Sequence, residues 1–320
     1  TYEGFAVDDI SITEQPAVNG ALTAILSPSS SCGMTASETI EVEVSNLGSL
    51  EMDSIVVSYS FNNGAAVSEV FNQTLAVNGT VTLSLSNTID LSNPGDYGLV
   101  VWVSTEGDGD TANDTASVVI TSIPTLTTIP YFEDFENGTG GWTGTGTNGT
   151  WQLGDPEGTL IDTAYSGVNA WSTNLNAPQY NNNQLSYLTS PCIDFSGLTD
   201  DPVISFAFIS ESEVGWDGMW LEVSLDGGSA WSTLGAVGTG ENWYNNADEH
   251  GPNFSEDWWD GQSGGNVSWL IAEHILEGVA GVADARVRFV FDSDPSVNIG
   301  YEGFSVDDIR IHPQPQLDLV

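Results

Sequence analysis

Residues 38–46 read ETIEVEVSN, with Ile40, Val42 and Val44 separated by Glu41 and Glu43. A period of two over such a span predicts a β-strand with one apolar and one solvated face. Strand-like runs recur at ALTAIL (21–26), SIVVSYSF (54–61), AVSEVFNQTL (66–75), TVTLSLSNTI (80–89), GDYGLVVWVS (95–104) and TASVVITS (115–122). Asn63-Gly64, just after Phe61, signals a tight hairpin, whose central residues need left-handed backbone. Short strands at this spacing, divided by turn residues, predict an immunoglobulin-like sandwich over residues 17–122.

The pattern changes after IPTLTTIP, a linker at residues 123–130. A larger all-β domain is predicted over residues 131–315, with residues 316–320 opening a further linker. Between strands around Trp231 and Val287 lies an insert at residues 240–281, crowded with Trp243, Tyr244, Trp258, Trp259 and Trp269 among many acids. Its last part, IAEHILEGVAG (271–281), predicts a short helix. Long structured loops are where function tends to sit.

The two ends of the chain match. Residues 1–16 are TYEGFAVDDISITEQP and residues 300–315 are GYEGFSVDDIRIHPQP, identical at eleven of sixteen positions with an offset of 299, Tyr301 minus Tyr2. Such a match predicts one period of a tandem array. Residues 1–16 would then be the terminal strand of the preceding unit's second domain.

The charge balance narrows the partners. The 45 acidic residues face three arginines and no lysine, for a formal net charge of −42. Phosphate backbones and anionic lipid surfaces would repel such a chain, so neither nucleic acid nor membrane insertion is expected. No apolar run reaches membrane-spanning length. The excess suits a solvated extracellular surface, a high-salt habitat or a chain that binds divalent cations. Cys32 and Cys192 are expected as buried free thiols, with a disulfide as the alternative.

The stretches SPSSSCGMTASETIEVEVSNLGS, LSNPGDYGLVVWV and DGDTANDTASVVI resemble the CARDB family, a bacterial adhesion-related sandwich. The opening YFEDFENGTGGW, followed by YLTSPCIDFSGL, MWLEVSLDGGSAWSTL, ARVRFVFDSD and YEGFSVDDIRI, resembles MAM-like, concanavalin-like jelly rolls. In that order they look like the Bacteroidota version, found in giant gliding adhesins and predatory attachment filaments exported by the type IX system. The resemblance implies a calcium ion clamping the two ends of the jelly roll, held by Glu136 and Asp307 or Asp308, with Asp134 as helper. Asp8 or Asp9 would do the same for the preceding unit. The alternative is that these acids stay solvated. Asp217, Asp226, Asp292 and Asp294 carry less weight, and the acids of residues 106–114 read as a turn.

Trp243, Tyr244, Trp258, Trp259 and Trp269 are candidates for contact with neighbouring chains or glycans, or for packing the insert onto the sheet. The histidines His250, His274 and His312 lack zinc spacing, and no nucleophile or phosphate-loop motif occurs in context. The expectation is a non-enzymatic structural and adhesive repeat unit of a secreted, surface-attached filament. It would contact neighbouring repeats and identical chains, and through them surface glycans or another cell. The alternative is a glycan-binding jelly-roll module.

Overall fold

The chain forms two compact units, residues 1–123 and 124–320. The computed structural model describes residues 8–9, 14–173, 175, 179–247, 257–296 and 300–314. Most of the strand of residues 1–16, the next linker at 316–320 and His250 lie outside the described residues. Among those described there is no α-helix, only 3-10 turns at Thr111–Asn113 and Ser263–Gly265. Both units are β-sandwiches.

In the first unit, a three-stranded sheet runs Gly20–Ser27, Glu38–Asn46, Thr80–Ile89. A five-stranded sheet runs Ser31–Cys32, Thr115–Ile123, Gly95–Ser104, Ile55–Phe61, Val67–Phe71. Ile40, Val42 and Val44 are fully buried and share one core with Val57, Leu99 and Val101. On the other face, Glu41 and Glu43 accept hydrogen bonds from Ser84 Oγ at 2.7 Å and Thr23 Oγ1 at 2.8 Å. The left-handed pair of the hairpin is Asn62 and Asn63, at φ 48° and 57°, one residue earlier than Asn63-Gly64. Asn62 Oδ1 fixes the turn by accepting from Gly98 N at 2.9 Å. In the acidic stretch, Asp108 accepts from Gly20 N and Asp110 caps the 3-10 turn through Ala112 N.

The second unit pairs two larger sheets. One runs Gln152–Gly154, Ala170–Ser172, Gly303–His312, Val203–Glu211, Leu270–Ile275, with Tyr131–Glu133 also on Gly303–His312. The other runs Thr143–Thr147, Leu185–Thr189, Arg286–Asp292, Gly218–Ser224, Ser232–Thr233, with Trp259–Asp260 also on Gly218–Ser224. Thr125–Leu126, inside the expected linker, pairs in parallel with Cys192–Ile193.

Every residue of Val203–Glu211 is buried. Phe206 on this strand meets Phe289 of the opposite sheet edge-on, with centroids 4.8 Å apart. At the edge of the core, Arg288 lies between the rings of Tyr187 and Trp231, at 4.4 and 4.2 Å, and ion-pairs with Glu222.

Two expectations are corrected. Residues 271–281 are not a helix: Leu270–Ile275 is a strand paired with Val203–Glu211. Its burial alternates, with Ala272 and His274 inward and Ile271, Glu273 and Ile275 outward, so the free edge of the central strand selects the period of two. Cys32 and Cys192 are not free thiols either, because both are in disulfide form. Oxidised cysteines are typical of chains that mature outside the reducing cytosol.

Candidate cation and ligand sites

The closing strand Gly303–His312 contains a β-bulge. Ser205 pairs with Arg310 and Ala207 with Asp307, so Phe206 alone faces both Asp308 and Ile309. Asp308 takes the left-handed conformation this requires, at φ 48°. The bulge lets two consecutive aspartates serve one loop, residues 165–169. Asp307 Oδ2 accepts from Ser166 N at 3.0 Å, and Asp308 Oδ1 accepts from Ser166 Oγ at 2.7 Å. Glu136 reaches the same loop, accepting from Val168 N at 2.9 Å and Asn169 N at 2.7 Å. Between these anchors sits Gly167 at φ 57°, where a Cβ would collide with the Glu136 carboxyl.

Glu136, Asp307 and Asp308 therefore do converge on one loop, and Asp134 supports it by accepting from Glu136 N at 3.2 Å. Both carboxylate oxygens of Asp307 and of Asp308 are already engaged. Asp307 Oδ1 accepts from Asp308 N, and Asp308 Oδ2 pairs with Arg310 at 2.9 Å. Burial is the main cause that pushes the Asp307 carboxyl up to about 6, while the loop N–H groups hold Glu136 below the usual range. Asp8 and Asp9 are exposed.

A tighter acidic group lies elsewhere in the second unit. Glu213, Asp217 and Asp294 each bring one carboxylate oxygen within 4.8 Å of the others. They sit at strand ends: Glu213 after Val203–Glu211, Asp217 before Gly218–Ser224, and Asp294 after Arg286–Asp292. Asp217 is fully buried and accepts from Tyr180 Oη at 2.5 Å and Asp294 N at 2.7 Å. Asp294 is 7 % exposed and accepts from Ser296 N at 2.7 Å. Glu213 Oε2 is a buried atom with no hydrogen-bond partner. Burial first, and then its acidic neighbours, push Asp217 up to about 7 and raise Glu213 as well. The ion pairs among the described residues are Arg288–Glu222 and Arg310–Asp308, so no base neutralises this group. An orphaned oxygen beside two hydrogen-bonded carboxylates is a donor set that suits a hard cation. The sequence offered little sign of it, since three single acids from distant strand ends meet only in the fold.

The aromatic residues of the insert are core. Trp243, Tyr244, Trp258 and Trp259 are between 1 % and 5 % exposed. The rings of Trp243, Tyr244 and Trp259 pack on one another, and those of Trp243 and Trp259 also meet Phe206. Of the readings the sequence left open for these four residues, packing of the insert onto the sheet is the one their burial agrees with, and contact with chains or glycans is not: an aromatic ring buries roughly 150–250 Å². Trp269 is half-buried, donating from Nε1 to Thr163 O at 3.2 Å and meeting Tyr165 edge-on. Beside this cluster, Phe208, Tyr244, Trp259 and several polar residues line a cavity of about 250 Å³.

No protein-family model matches the chain. No curated protein matches it significantly. Solved structures similar to parts of it include the following three. A CARDB domain from Pyrococcus furiosus, solved with two metal ions, is 18 % identical over 37 % of this chain and 100 % of its own, at TM-score 0.27. The K1 cleaved adhesin domain of Lys-gingipain from Porphyromonas gingivalis is 14 % identical over 59 % and 100 %, at TM-score 0.35. A xylan-binding domain of the CBM 22 type is 13 % identical over 57 % and 93 %, at TM-score 0.31. The sheets themselves carry the conclusion: the chain is all-β, an Ig-like sandwich followed by a jelly-roll sandwich.

Proposed function

We propose that this chain is a non-catalytic structural and adhesive unit, repeated in tandem within a large extracellular surface protein. The observation that carries the reading is where the duplicated positions fall. In the closing strand, Phe304, Val306, Asp307, Asp308, Ile309 and Ile311 are all buried. Each has an identical counterpart 299 residues earlier: Phe5, Val7, Asp8, Asp9, Ile10 and Ile12. Glu302, whose carboxylate accepts from Thr159, Leu160 and Ile161 N–H groups, is matched by Glu3. Exposed Arg310 and half-exposed His312 are replaced, by Ser11 and Thr13. Ser305 is the one buried exception, replaced by Ala6 at the cost of a 2.7 Å bond to Ser172. Residues 1–13 thus carry what a closing strand of a like jelly roll needs.

A synthetic peptide of residues 1–13 tests this. Added to a chain of residues 14–296, which lacks both copies, it is expected to restore the near-ultraviolet circular dichroism of the second unit. A scrambled peptide should not. Equal effects of both peptides would end the tandem reading.

The unit is further proposed to hold a calcium ion at Glu213, Asp217 and Asp294, in place of the Glu136 and Asp307 clamp. Chelator is then expected to lower the melting temperature of the parent chain by several degrees and to leave Glu213→Gln unmoved. A chelator response that survives Glu213→Gln, and is lost in Glu136→Ala, would return the ion to the clamp.

A further inference from the structure

We infer that the outer face of the five-stranded sheet in the first unit pairs with the same face of a second copy of this chain. In Ile55–Phe61, Val67–Phe71, Gly95–Ser104 and Thr115–Ile123, alternate residues point into the core and away from it. Leu99, Val101 and Val103 are the inward set of one strand, so Val100 and Trp102 point outward. The register puts Val70 beside Val56, Trp102 beside Ser58 and Val119 beside Gly98 on that outer face. Val70 and Val119 are 55 % and 64 % exposed, and none of these outward apolar side chains belongs to the core of the unit.

What sets this face apart is its charge. The four strands contain two acids, Glu69 and Asp96. Glu69 lies on the inward side, opposite Val57, and accepts from Ser86 N and Oγ of the other sheet at 2.8 and 2.9 Å. Asp96 lies near the end of its strand, where it accepts from Thr121 Oγ1 at 2.7 Å. Elsewhere the face is neutral, whereas the three-stranded sheet turns Glu41 and Glu43 outward. Hydroxyls at its centre are matched from within. Ser58 Oγ and Ser68 Oγ share a bond of 2.8 Å, and Ser60 Oγ donates to Gly64 O at 2.9 Å. Covering these three therefore strands none of them without a partner.

Charge also identifies what covers the face. A chain with 45 acids, three arginines and no lysine has no basic surface to set against its own acidic ones. Two copies meet with least repulsion through a neutral face. In a two-fold pair the patch meets itself, so a charge there would meet its like. A basic partner of another kind would instead be drawn to the acids. Four strands ~4.8 Å apart, with about seven residues each at ~3.3 Å, give a face of roughly 450 Å². A standard stable interface takes about 800 Å² from each partner, so this pair is a weak one. It needs one unit from each chain and does not rest on the tandem reading.

Sedimentation equilibrium of the intact chain in chelator tests the inference, from ~10 μM to ~1 mM protein and at low and high sodium chloride. A reversible monomer–dimer equilibrium is expected. It should tighten with salt, because screening relieves the repulsion while the apolar contact stays. Val70→Glu and Val119→Glu should each weaken the dimer by about tenfold or more, since each sets a charge within a patch that meets itself. Both valines are exposed, so the far-ultraviolet circular dichroism of each variant should match the parent. Leu225→Glu adds the same charge at an exposed site of the second unit and should leave the dimer unchanged. The inference is overturned if the chain stays monomeric at high salt and the highest concentration, or if the species formed is larger than a dimer. It is equally overturned if neither valine variant weakens the dimer, or if Leu225→Glu weakens it as much.

Discussion

Phe206→Ala is expected to lower the melting temperature of the second unit by about 10–15 °C. The ring occupies the centre of that core. It touches Phe289 across the sandwich at 4.8 Å, Trp259 at 5.7 Å, Trp243 at 5.9 Å and Phe208 at 6.2 Å. Truncation removes contacts with both sheets and with the insert at once. Large aromatic-to-alanine changes in a core cost ~3–5 kcal/mol, and each kcal/mol moves a domain of this size by ~2–4 °C. The neighbours cannot collapse into the gap, because each is an indole or phenyl ring locked by others. Calorimetry beside Val214→Ala, whose side chain is 68 % exposed, gives the reference. Equal shifts in the two variants would show that the aromatic cluster is not what holds the unit together.

In chelator, the second unit is expected to become more stable as the pH falls from 7.5 to 5. Asp217 is raised in the fold from its ordinary 3.8 to about 7. A carboxyl raised on folding favours the native state fully below its unfolded value, and that contribution is lost as the pH rises through the folded value. At pH 7.5, the ionised Asp217 therefore costs on the order of 3–4 kcal/mol relative to pH 4. Asp307, raised to about 6, adds in the same direction. Relief of general repulsion also has this sign, so a variant is needed to isolate the site. Asp217→Asn keeps an acceptor for Tyr180 without the charge, and should flatten most of the slope. Calcium should flatten it in the parent chain, because the ion supplies the missing countercharge. A slope that is the same in Asp217→Asn would assign it to the surface instead.

The first unit was legible because its strands have one dry face. Glu38–Asn46, Thr80–Ile89 and Gly95–Ser104 run between the same residues that the alternation marks. The second unit hid its most important strand. VISFAFISE at Val203–Glu211 is buried on both sides, so it has no alternation to detect, and it was not singled out. Residues 271–281 misled for a related reason. Their apolar spacing suits a helix in isolation, but an unpaired strand edge beside them decides the outcome. The acids of the closing strand were legible by resemblance as a group that meets Glu136. That they meet it through the 165–169 loop depends on a bulge that only backbone geometry reveals. The insert aromatics were left open between surface contact and packing onto the sheet, because composition cannot say on which side of a loop a ring lies.

The placement of the arginines has a practical consequence. Arg286, Arg288 and Arg310 are the only residues after which trypsin can cut, since the chain has no lysine. All three lie in paired strands of the second unit. Arg286 donates to Ser190 O, Arg288 is held between two rings, and Arg310 lies over Phe132. A protease must have several residues of extended, unpaired chain around its scissile bond. Digestion of this protein by trypsin is thus a clock for the opening of one sandwich alone, and in a habitat rich in such proteases the rest of the chain offers nothing to cut.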